Sequence, residues 1–262
     1  MAGHPRNFLT QRMTAPATLL ITGAARGIGA ATALQAAQAG YAVAVNYREN
    51  ALAAAEVVRR IRALGGRAIS VQADVADEAQ VLAMFATVDA KLGPIGALVN
   101  NAGVVDQACR VADMSAARLQ RMLATNVLGS MLCAREAVRR MSTAHGGSGG
   151  AIVNLSSLAA SLGSPGQYVD YAASKGAVDS FTIGLAREVA AEGIRVNAVR
   201  PGVIDTDIHA SGGQPDRAQR LASSIPMQRP GTADEVANAI LWLLSPAASY
   251  TTGTLLDVGG GR

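Results

Sequence analysis

Short runs of β-branched and aliphatic residues alternate, from Thr18 onward, with longer stretches in which apolar residues recur at helical spacing. The short runs predict strands at Leu19–Thr22, Ala42–Asn46, Ala68–Gln72, Ala97–Asn100, Ala151–Leu155, Arg195–Val199 and Thr254–Val258. The longer stretches predict helices at Ile28–Ala39, Ala51–Leu64, Glu78–Leu92, Ala116–Arg140, Tyr171–Ala191 and Ala233–Leu244. Apolar strands separated by helices indicate a mostly parallel sheet with helices on both faces. The pattern therefore predicts an α/β fold, a single doubly wound Rossmann domain with a seven-stranded sheet.

Residues with capping chemistry stand at the predicted helix ends. Asp77, Ser115 and Thr232 have side chains that can accept hydrogen bonds from the first amides of a helix. Glycines that can end a helix follow three of the predicted helices, at Gly40, Gly65 and Gly93.

The pattern indicates one domain, at residues 17–262, preceded by a short extension. Residues 1–16 have no continuous apolar core, so we expect a loose N-terminal extension and no secretory signal, with Met13 as an alternative start. Segment 205–229 is a long connection at the carboxyl end of a predicted strand, and it contains Ser211-Gly212-Gly213 and prolines. Its length and position predict a mobile lid over a substrate.

Composition excludes several classes of protein. Of the 262 residues, 50% are apolar and 16% are charged, which is not the composition of a disordered chain. Cys109 and Cys133 are too few for a disulfide scaffold, and we expect both to be ordinary packed thiols in a cytoplasmic protein. No apolar run approaches the roughly 18 to 20 residues of a membrane-spanning helix, so no membrane partner is expected.

The charged residues give little indication of a nucleic acid or metal partner. The net charge of +4 comes from 23 basic and 19 acidic residues, and the basic ones are scattered without aromatic interleaving. We therefore expect no nucleic-acid binding. His4, His145 and His209 lie far apart with no cysteines at zinc spacing, so no metal site is expected. Of the 23 basic residues, 21 are arginine, and Lys91 and Lys175 are lysine.

A glycine-rich segment, Thr22-Gly-Ala-Ala-Arg-Gly-Ile-Gly29, directly follows the first predicted strand and opens the first predicted helix. Glycines there let the backbone turn sharply and approach a pyrophosphate, while free amides and the helix dipole face the anion. Glycine spacing alone also fits an ordinary tight turn. Its place after the first strand favours dinucleotide binding through Gly23, Gly27, Ile28 and Gly29.

The end of the second predicted strand bears on the choice of cofactor. An acid at this point would bind the ribose 2′-hydroxyl of NAD, whereas a 2′-phosphate requires cations. The strand ends in Asn46-Tyr47-Arg48, and Arg26 projects from the glycine-rich segment, so two arginines can converge on one phosphate. NADP(H) is therefore the preferred cofactor. NAD(H) remains the alternative because Glu49 follows Arg48, and the residues also leave open that both arginines are ordinary surface residues.

Tyr171 and Lys175 stand four residues apart in a predicted helix, which places the phenol and the ammonium on one face. A free tyrosine titrates near ~10, so ionising it at neutrality requires roughly 4 kcal/mol. A neighbouring cation favours the phenolate and can supply much of this energy. A surface contact is the alternative explanation. A chain that uses arginine almost everywhere has lysine here, which favours a site that needs a compact charge.

From Thr18 onward the chain resembles the short-chain dehydrogenases/reductases. Besides the glycine-rich segment and Tyr171–Lys175, the segments that carry the resemblance are Ala73-Asp74-Val75, Asn100-Asn101-Ala102-Gly103, Asn126-Val127-Leu128-Gly129, Val153-Asn154-Leu155-Ser156-Ser157 and Arg200-Pro201-Gly202-Val203-Ile204-Asp205-Thr206. All occur in the order and at the spacing of the family.

The resemblance implies a catalytic tetrad of Asn126, Ser157, Tyr171 and Lys175. Tyr171 would be the acid/base, and Ser157 would hydrogen-bond the substrate oxygen. Lys175 would hold the nicotinamide ribose and lower the pKa of the phenol, and Asn126 would seat a water in a proton relay. The cofactor contacts implied beyond the glycine-rich segment and the arginines are Asn46, Asp74, Val75, Asn100, Gly103, Tyr171, Lys175, Pro201, Gly202, Ile204 and Thr206.

Two neighbours compete for these assignments. Ser156 adjoins Ser157, and the second serine is chosen because the family places its serine last in this signature. Tyr168 precedes Tyr171 by three residues, but Tyr171 is the one followed by lysine at the fourth position.

The activity implied by the resemblance is NADP(H)-dependent transfer of a hydride between nicotinamide and a carbonyl or secondary alcohol of a small molecule. A homo-oligomer, tetramer or dimer, is implied as well. A sensor or assembly protein that binds NADP(H) without turnover is the alternative, although it would be expected to lack the tyrosine or the lysine. The predicted walls of the substrate site, at Val104, Val105, Leu158–Gly163, Gln167 and the lid, contain no charged clamp that the sequence identifies.

Overall fold

Seven strands form the centre of the computed structural model, which describes residues 17–262; the predicted extension at residues 1–16 and His4 lie outside this range. The strands are β1 (Thr18–Ile21), β2 (Ala42–Tyr47), β3 (Ala68–Gln72), β4 (Ile95–Asn100), β5 (Gly150–Leu155), β6 (Ile194–Pro201) and β7 (Leu255–Val258). All pairings are parallel, in the order β3-β2-β1-β4-β5-β6-β7. The predicted doubly wound α/β fold is confirmed.

Helices cover both faces of this sheet. They are α1 (Gly27–Gln38), α2 (Ala51–Ala63), α3 (Glu78–Leu92), α4 (Ala116–Leu123), α5 (Gly129–Met141), α6 (Ala159–Leu162), α7 (Val169–Val189), α8 (Ile208–Ser211), α9 (Arg217–Arg220) and α10 (Ala233–Leu244). The predicted caps are confirmed, because Asp77, Ser115 and Thr232 accept hydrogen bonds from backbone amides of α3, α4 and α10. None of the helices between residues 17 and 262 combines the length and apolar character needed to cross a lipid bilayer.

The apolar strands explain why the sheet is covered on both sides. Side chains alternate between the two faces of a strand. Leu19 and Ile21 therefore join the core under α1, α2 and α10, whereas Leu20 joins the core under α3, α5 and α7. All three side chains are fully buried.

The structure corrects the sequence-based helices in two places. The predicted helix Ala116–Arg140 is interrupted by a π-helical turn, Ala124–Leu128, between α4 and α5. Periodicity cannot reveal this turn, because it arises when Asn126 turns inward to bind a distant loop rather than from the apolar pattern. The predicted connection 205–229 contains the short helices α8 and α9.

The order of the strands places a crevice at the carboxyl ends of β1 and β4. The chain builds the sheet outward from β1 to β3 and then returns to the other side of β1 with β4. At such a reversal the loops after the two central strands diverge and leave room for a ligand. The loops that follow Ile21 and Asn100 are therefore the ones to inspect for a site.

A buried ion pair fixes the start of α7 against α4. Arg118 donates from Nε and Nη2 to the two carboxylate oxygens of Asp170, at 2.7 and 3.1 Å. The two side chains are only 9% and 2% exposed. Because Asp170 immediately precedes Tyr171, this pair fixes the helical turn that carries the tyrosine.

We expect Asp170→Asn to lower the free energy of unfolding by about 3 kcal/mol, because it leaves the Arg118 guanidinium buried without its counter-charge. Denaturant unfolding followed by circular dichroism measures this change. Glu56→Gln removes the exposed pair between Glu56 and Arg59 and serves as the matched control, for which no measurable change is expected. Equal effects of the two substitutions would contradict a stabilising role for the buried pair.

Candidate active site

A cavity of about 970 Å³ lies in the crevice predicted by the strand order. Its volume is at the upper end of the roughly 300–1,000 Å³ typical of ligand sites. The sequence-predicted residues that line it are Gly23, Arg26, Gly27, Ile28, Asn46, Arg48, Asp74, Val75, Gly103, Ser157, Tyr171, Lys175, Pro201, Gly202, Ile204 and Thr206. Gly29, Asn100 and Asn126 do not belong to this lining, and each is buried behind it.

The glycine-rich segment forms a turn that fits an extended phosphate-bearing ligand. Gly23 and Gly27 have φ angles of +61° and +54°, in the left-handed region that favours glycine. A Cβ atom at Gly29 would lie 2.6 Å from Asn101 Nδ2 and 2.8 Å from the Gly23 carbonyl oxygen. No side chain caps the N-terminus of α1, so its first amides face the cavity. The donor set therefore fits a pyrophosphate.

Two asparagines, Asn46 and Asn101, hold this turn in place, and Asn46 is fully buried. Asn46 Oδ1 accepts a hydrogen bond from Gly23 N at 3.1 Å, and its Nδ2 donates to the Ala73 carbonyl at 3.1 Å. Asn101 Nδ2 donates to the carbonyls of Thr22 and Gly23, both at 2.9 Å. Neither positioning role follows from a single sequence, because both depend on contacts between strands that are distant in the chain.

The two predicted phosphate-binding arginines lie on the wall of the same cavity. Arg48 Nη2 is 2.6 Å from a Glu49 carboxylate oxygen, and both side chains are substantially exposed. Arg26 Nη2 donates to Ser211 Oγ at 3.4 Å, which joins the glycine-rich segment to the end of α8. The structure thus places Arg26 and Arg48 on the lining of one cavity, and both residues are exposed.

The tyrosine and the serine predicted for the tetrad are neighbours in the structure. The Ser157 side chain lowers the pKa of the Tyr171 phenol. Burial of the phenol is the larger effect and raises this pKa above its usual value. Ser156 is positioned differently, since its Oγ donates to the Lys175 carbonyl at 3.2 Å and its side chain is buried. Both serines line the cavity, but Ser157 is the more accessible of the two and the one that shifts the pKa of Tyr171.

Lys175 lies beneath the tyrosine ring. Its Nζ is 5.6 Å from the centroid of the Tyr171 ring and donates to the Leu155 carbonyl at 2.6 Å. Burial lowers the pKa of Lys175 to about 8, although the nearby Asp179 carboxylate opposes this shift. Lys175 contributes no shift to the pKa of Tyr171, which burial raises and Ser157 lowers, so the predicted lowering by Lys175 is not seen here.

Asn126 is oriented by the π-helical turn. Its Oδ1 accepts from Val104 N at 2.8 Å, and its Nδ2 donates to the Val104 carbonyl at 3.0 Å and to Ser174 Oγ at 3.1 Å. A Cβ atom at Gly103 would lie 3.5 Å from Asn126 Oδ1 and 3.6 Å from Lys175 Nζ. Because Gly103 has no side chain, the space between Asn126 Oδ1 and Lys175 Nζ stays open. Sequence analysis missed both the π-helical turn and the contact with Ser174.

Asn100 and Cys133 are buried in the fold and do not line the cavity. Asn100 Nδ2 donates to the Ser130 carbonyl and to Asn154 Oδ1, which ties β4 to α5 and β5 behind the cavity. Burial raises the pKa of the Cys133 thiol to about 12, so this cysteine is protonated at neutral pH.

Known proteins share this architecture. Residues 23–262 match the family model described as enoyl-(acyl carrier protein) reductase. The chain is 59% identical to the oxidoreductase YgfF of Escherichia coli K12 over 246 residues, which are 94% of this chain and 100% of that protein. It is 38% identical to the 3-oxoacyl-(acyl-carrier-protein) reductase FabG of Staphylococcus aureus strain Mu50 over 242 residues, which are 92% and 96% of the two chains.

A solved structure agrees with the same assignment. The short-chain dehydrogenase of Burkholderia cenocepacia J2315 in complex with NADP matches with a TM-score of 0.85 and 36% identity, over 94% of this chain and 97% of that one.

Fold, cavity and relatives together define an oxidoreductase with a Rossmann fold that binds a nicotinamide cofactor. The chain belongs to the short-chain dehydrogenase/reductase family. It is an NAD(P)-dependent enzyme acting on CH–OH or C=O groups, as the sequence predicted.

Proposed function

We propose that the protein is an NADP(H)-preferring reductase of a small carbonyl compound, or dehydrogenase of the corresponding secondary alcohol, with Tyr171 as the general acid/base. The observation that carries this proposal is that Tyr171, Ser157 and Lys175 line the same cavity as the glycine-rich turn. Hydroxyl groups of Tyr171 and Ser157 can both reach one substrate oxygen, which is the requirement for acid catalysis at a carbonyl.

Each polar residue has a distinct task in this proposal. A bound nicotinamide supplies or accepts the hydride. Tyr171 donates its proton to the carbonyl oxygen during reduction, and the raised pKa keeps the phenol protonated at neutral pH. Ser157 donates a hydrogen bond to the same oxygen as negative charge develops on it. Lys175, charged below pH about 8, binds the cofactor ribose and favours the phenolate after the proton has left.

A proton path back to Tyr171 follows the other side of Lys175. Nζ of Lys175 and Oδ1 of Asn126 both approach the space beside Gly103. One water bridging these two atoms could pass a proton to Lys175, which lies beside Tyr171. Because Asn126 already bonds Val104 through both side-chain atoms, it acts here as a fixed acceptor.

The preference for NADP(H) is supported by the charge at the ribose end of the cavity. Arg26 and Arg48 line that wall, and Asn46 with a neutral side chain stands where a carboxylate would otherwise bind the 2′-hydroxyl. A 2′-phosphate can replace Glu49 as the partner of Arg48. The exposed ion pair between Arg48 and Glu49 contributes little free energy, so little is lost when a phosphate replaces Glu49.

We expect NADPH to bind more tightly than NADH, and Arg48→Asp to weaken NADPH binding by roughly 10- to 100-fold because it replaces a phosphate ligand with a like charge. Fluorescence titration of both reduced cofactors measures these affinities. Arg60→Asp makes the same change of charge on an exposed site of α2 outside the cavity lining, and it should leave the ratio unchanged. Tighter binding of NADH by the unmodified protein would contradict the preference.

The same titrations, combined with an activity assay, also test the alternative that the protein binds NADP(H) as a sensor and does not catalyse a reaction. Tight NADPH binding together with no oxidation across a broad panel of carbonyls would favour a sensor. NADPH-dependent loss of a ketone, followed by absorbance and by product analysis, would support the reductase.

A further inference from the structure

Three arginines lie near one another on the lining of the cavity. Arg217 and Arg220 come from α9, within the predicted lid, and Arg262 comes from the segment after β7. All three line the cavity together with Tyr171 and Ser157. They are distinct from Arg26 and Arg48, which stand beside the glycine-rich turn and the end of β2.

Arg217 is held in place by neutral groups. Its guanidinium carbon lies 5.1 Å from the centroid of the Tyr168 ring, and its Nη1 donates to Gln167 Oε1 at 2.7 Å and Gln214 Oε1 at 3.3 Å. The residue is partly buried. Within residues 17–262, no carboxylate forms an ion pair with Arg217.

The neighbouring charges make this arrangement unfavourable without a counter-ion. Burial lowers the pKa of Arg217, Tyr168 opposes this shift, and the positive charges of Arg220 and Arg262 add to it. The nearby acid, Asp216, is 3.5 Å from Arg220 and largely exposed, so it offsets only part of that charge. Arg217, which has no carboxylate partner among residues 17–262, and its neighbour Arg220 on the cavity lining are expected where a ligand supplies the negative charge.

The cluster is close enough to the reacting groups to contact the same molecule. Tyr168 is the N-cap residue of α7, three residues before Tyr171, and both tyrosines line the cavity. Arg217, which stacks on the Tyr168 ring, lines the same cavity. Gln214 also donates to the Tyr168 hydroxyl at 2.8 Å, so α9 and the start of α7 are joined directly.

We propose that the carbonyl substrate carries a carboxylate or phosphate group and that Arg217, supported by Arg220 and Arg262, binds this anion while the carbonyl faces Tyr171 and Ser157. This inference rests on the proposed function, and it replaces the sequence-based expectation of a substrate site without a charged clamp. A planar guanidinium stacked on an aromatic ring binds carboxylate or phosphate oxygens in a fork, which orients the substrate as well as holding it.

Binding to the complex with oxidised cofactor tests the anion site without turnover. Calorimetry with NADP⁺ present compares 4-oxopentanoate and 5-oxohexanoate with their methyl esters, and hydroxyacetone phosphate with hydroxyacetone. The unmodified protein should bind at least one anion roughly tenfold or more tightly than its neutral partner. Arg217→Gln should abolish that difference and leave binding of the neutral compound unchanged. The anion whose affinity exceeds that of its neutral partner by the larger factor shows whether the site prefers a carboxylate or a phosphate.

Arg60→Gln, an exposed arginine on α2 outside the cavity lining, is the matched control and should retain the difference. Equal affinity for anion and neutral partner in the unmodified protein, or no binding of any anion at millimolar concentration, overturns the inference. An equal loss of anion and ester binding in Arg217→Gln also overturns it, because that result would indicate a structural role.

NADPH oxidation with the same compounds separates the inference from the proposed function. Reduction of anions and esters with equal kcat/KM would support the reductase and contradict the anion site. Arg217-dependent binding of an anion without reduction of any carbonyl would support the anion site and contradict the reductase. If both the reductase and the anion site are correct, Arg217→Gln should raise KM for the anionic ketone by roughly 10- to 100-fold with little change in kcat.

Discussion

Replacement of Tyr171 by phenylalanine is expected to reduce kcat/KM for carbonyl reduction by about a thousandfold. The substitution removes the hydroxyl that contacts Ser157 and keeps the ring that covers Lys175 Nζ, so the packing of α7 should persist. Steady-state rates with an identified substrate measure the loss. NADPH titration of the same variant should give an affinity close to that of the unmodified protein, because the phenol proton is needed for the reaction and not for cofactor binding.

Two further tyrosines complete this experiment. Tyr168→Phe tests the neighbouring tyrosine, whose hydroxyl accepts a hydrogen bond from Gln214, and should lower kcat/KM by less than tenfold. Tyr250→Phe alters a fully exposed side chain and should change nothing. If Tyr171→Phe stays within tenfold of the unmodified enzyme, or if Tyr168→Phe has the larger effect, Tyr171 is not the acid.

Lys175→Met should lower kcat/KM by about a hundredfold and weaken NADPH binding, because it removes a fixed cation beside both the phenol and the ribose site. Lys175→Arg should fail to restore activity, since Nζ lies in a buried position 2.6 Å from the Leu155 carbonyl where a planar guanidinium has no room. Kinetics and cofactor titration measure both effects. Lys91→Met, at an exposed lysine, is the matched control, and a similar loss there would contradict the assignment.

The Lys175 and Lys91 variants should also differ in how their free energy of unfolding depends on pH. The pKa of Lys175 is about 8 in the folded protein and near 10.5 when exposed, so the unfolded chain binds more protons between these values. The free energy of unfolding should therefore gain from this lysine as the pH rises from about 8 to about 10.5. Denaturation curves across this range should show that gain in the unmodified protein and in Lys91→Met, and should not show it in Lys175→Met.

Most of the fold was predictable because it depends on local pattern. Apolar strands such as Ala42–Tyr47 have no polar face, which is possible only in a sheet covered on both sides. Caps such as Asp77 and Thr232 act on amides three residues away, so their effect is visible in sequence. The predicted helix ends therefore lie close to the observed ones, except at the π-helical turn.

The candidate site was predictable where residues act through short motifs and not where they act across the fold. Tyr171 and Lys175 share one helix, and the glycine-rich turn is continuous in sequence, so both could be recognised. The cluster around Arg217 could not, because it joins three separate parts of the chain and its lack of a carboxylate partner appears only after folding. The pKa of Tyr171 was also misjudged, since burial cannot be read from the spacing of two residues.

The π-helical turn at Ala124–Leu128 sets a strict limit on chain length at this point. A π-helical turn holds one residue more than the α-helical path between the same two helices, so loss of one residue here would close the bulge and withdraw Asn126 from its bonds to Val104. Gly129, which follows the turn, packs so closely on Val75 that a Cβ atom would lie 2.6 Å from Val75 Cγ2. The extra residue therefore serves Asn126 on one side of the helix while Gly129 keeps the contact with Val75 on the next turn.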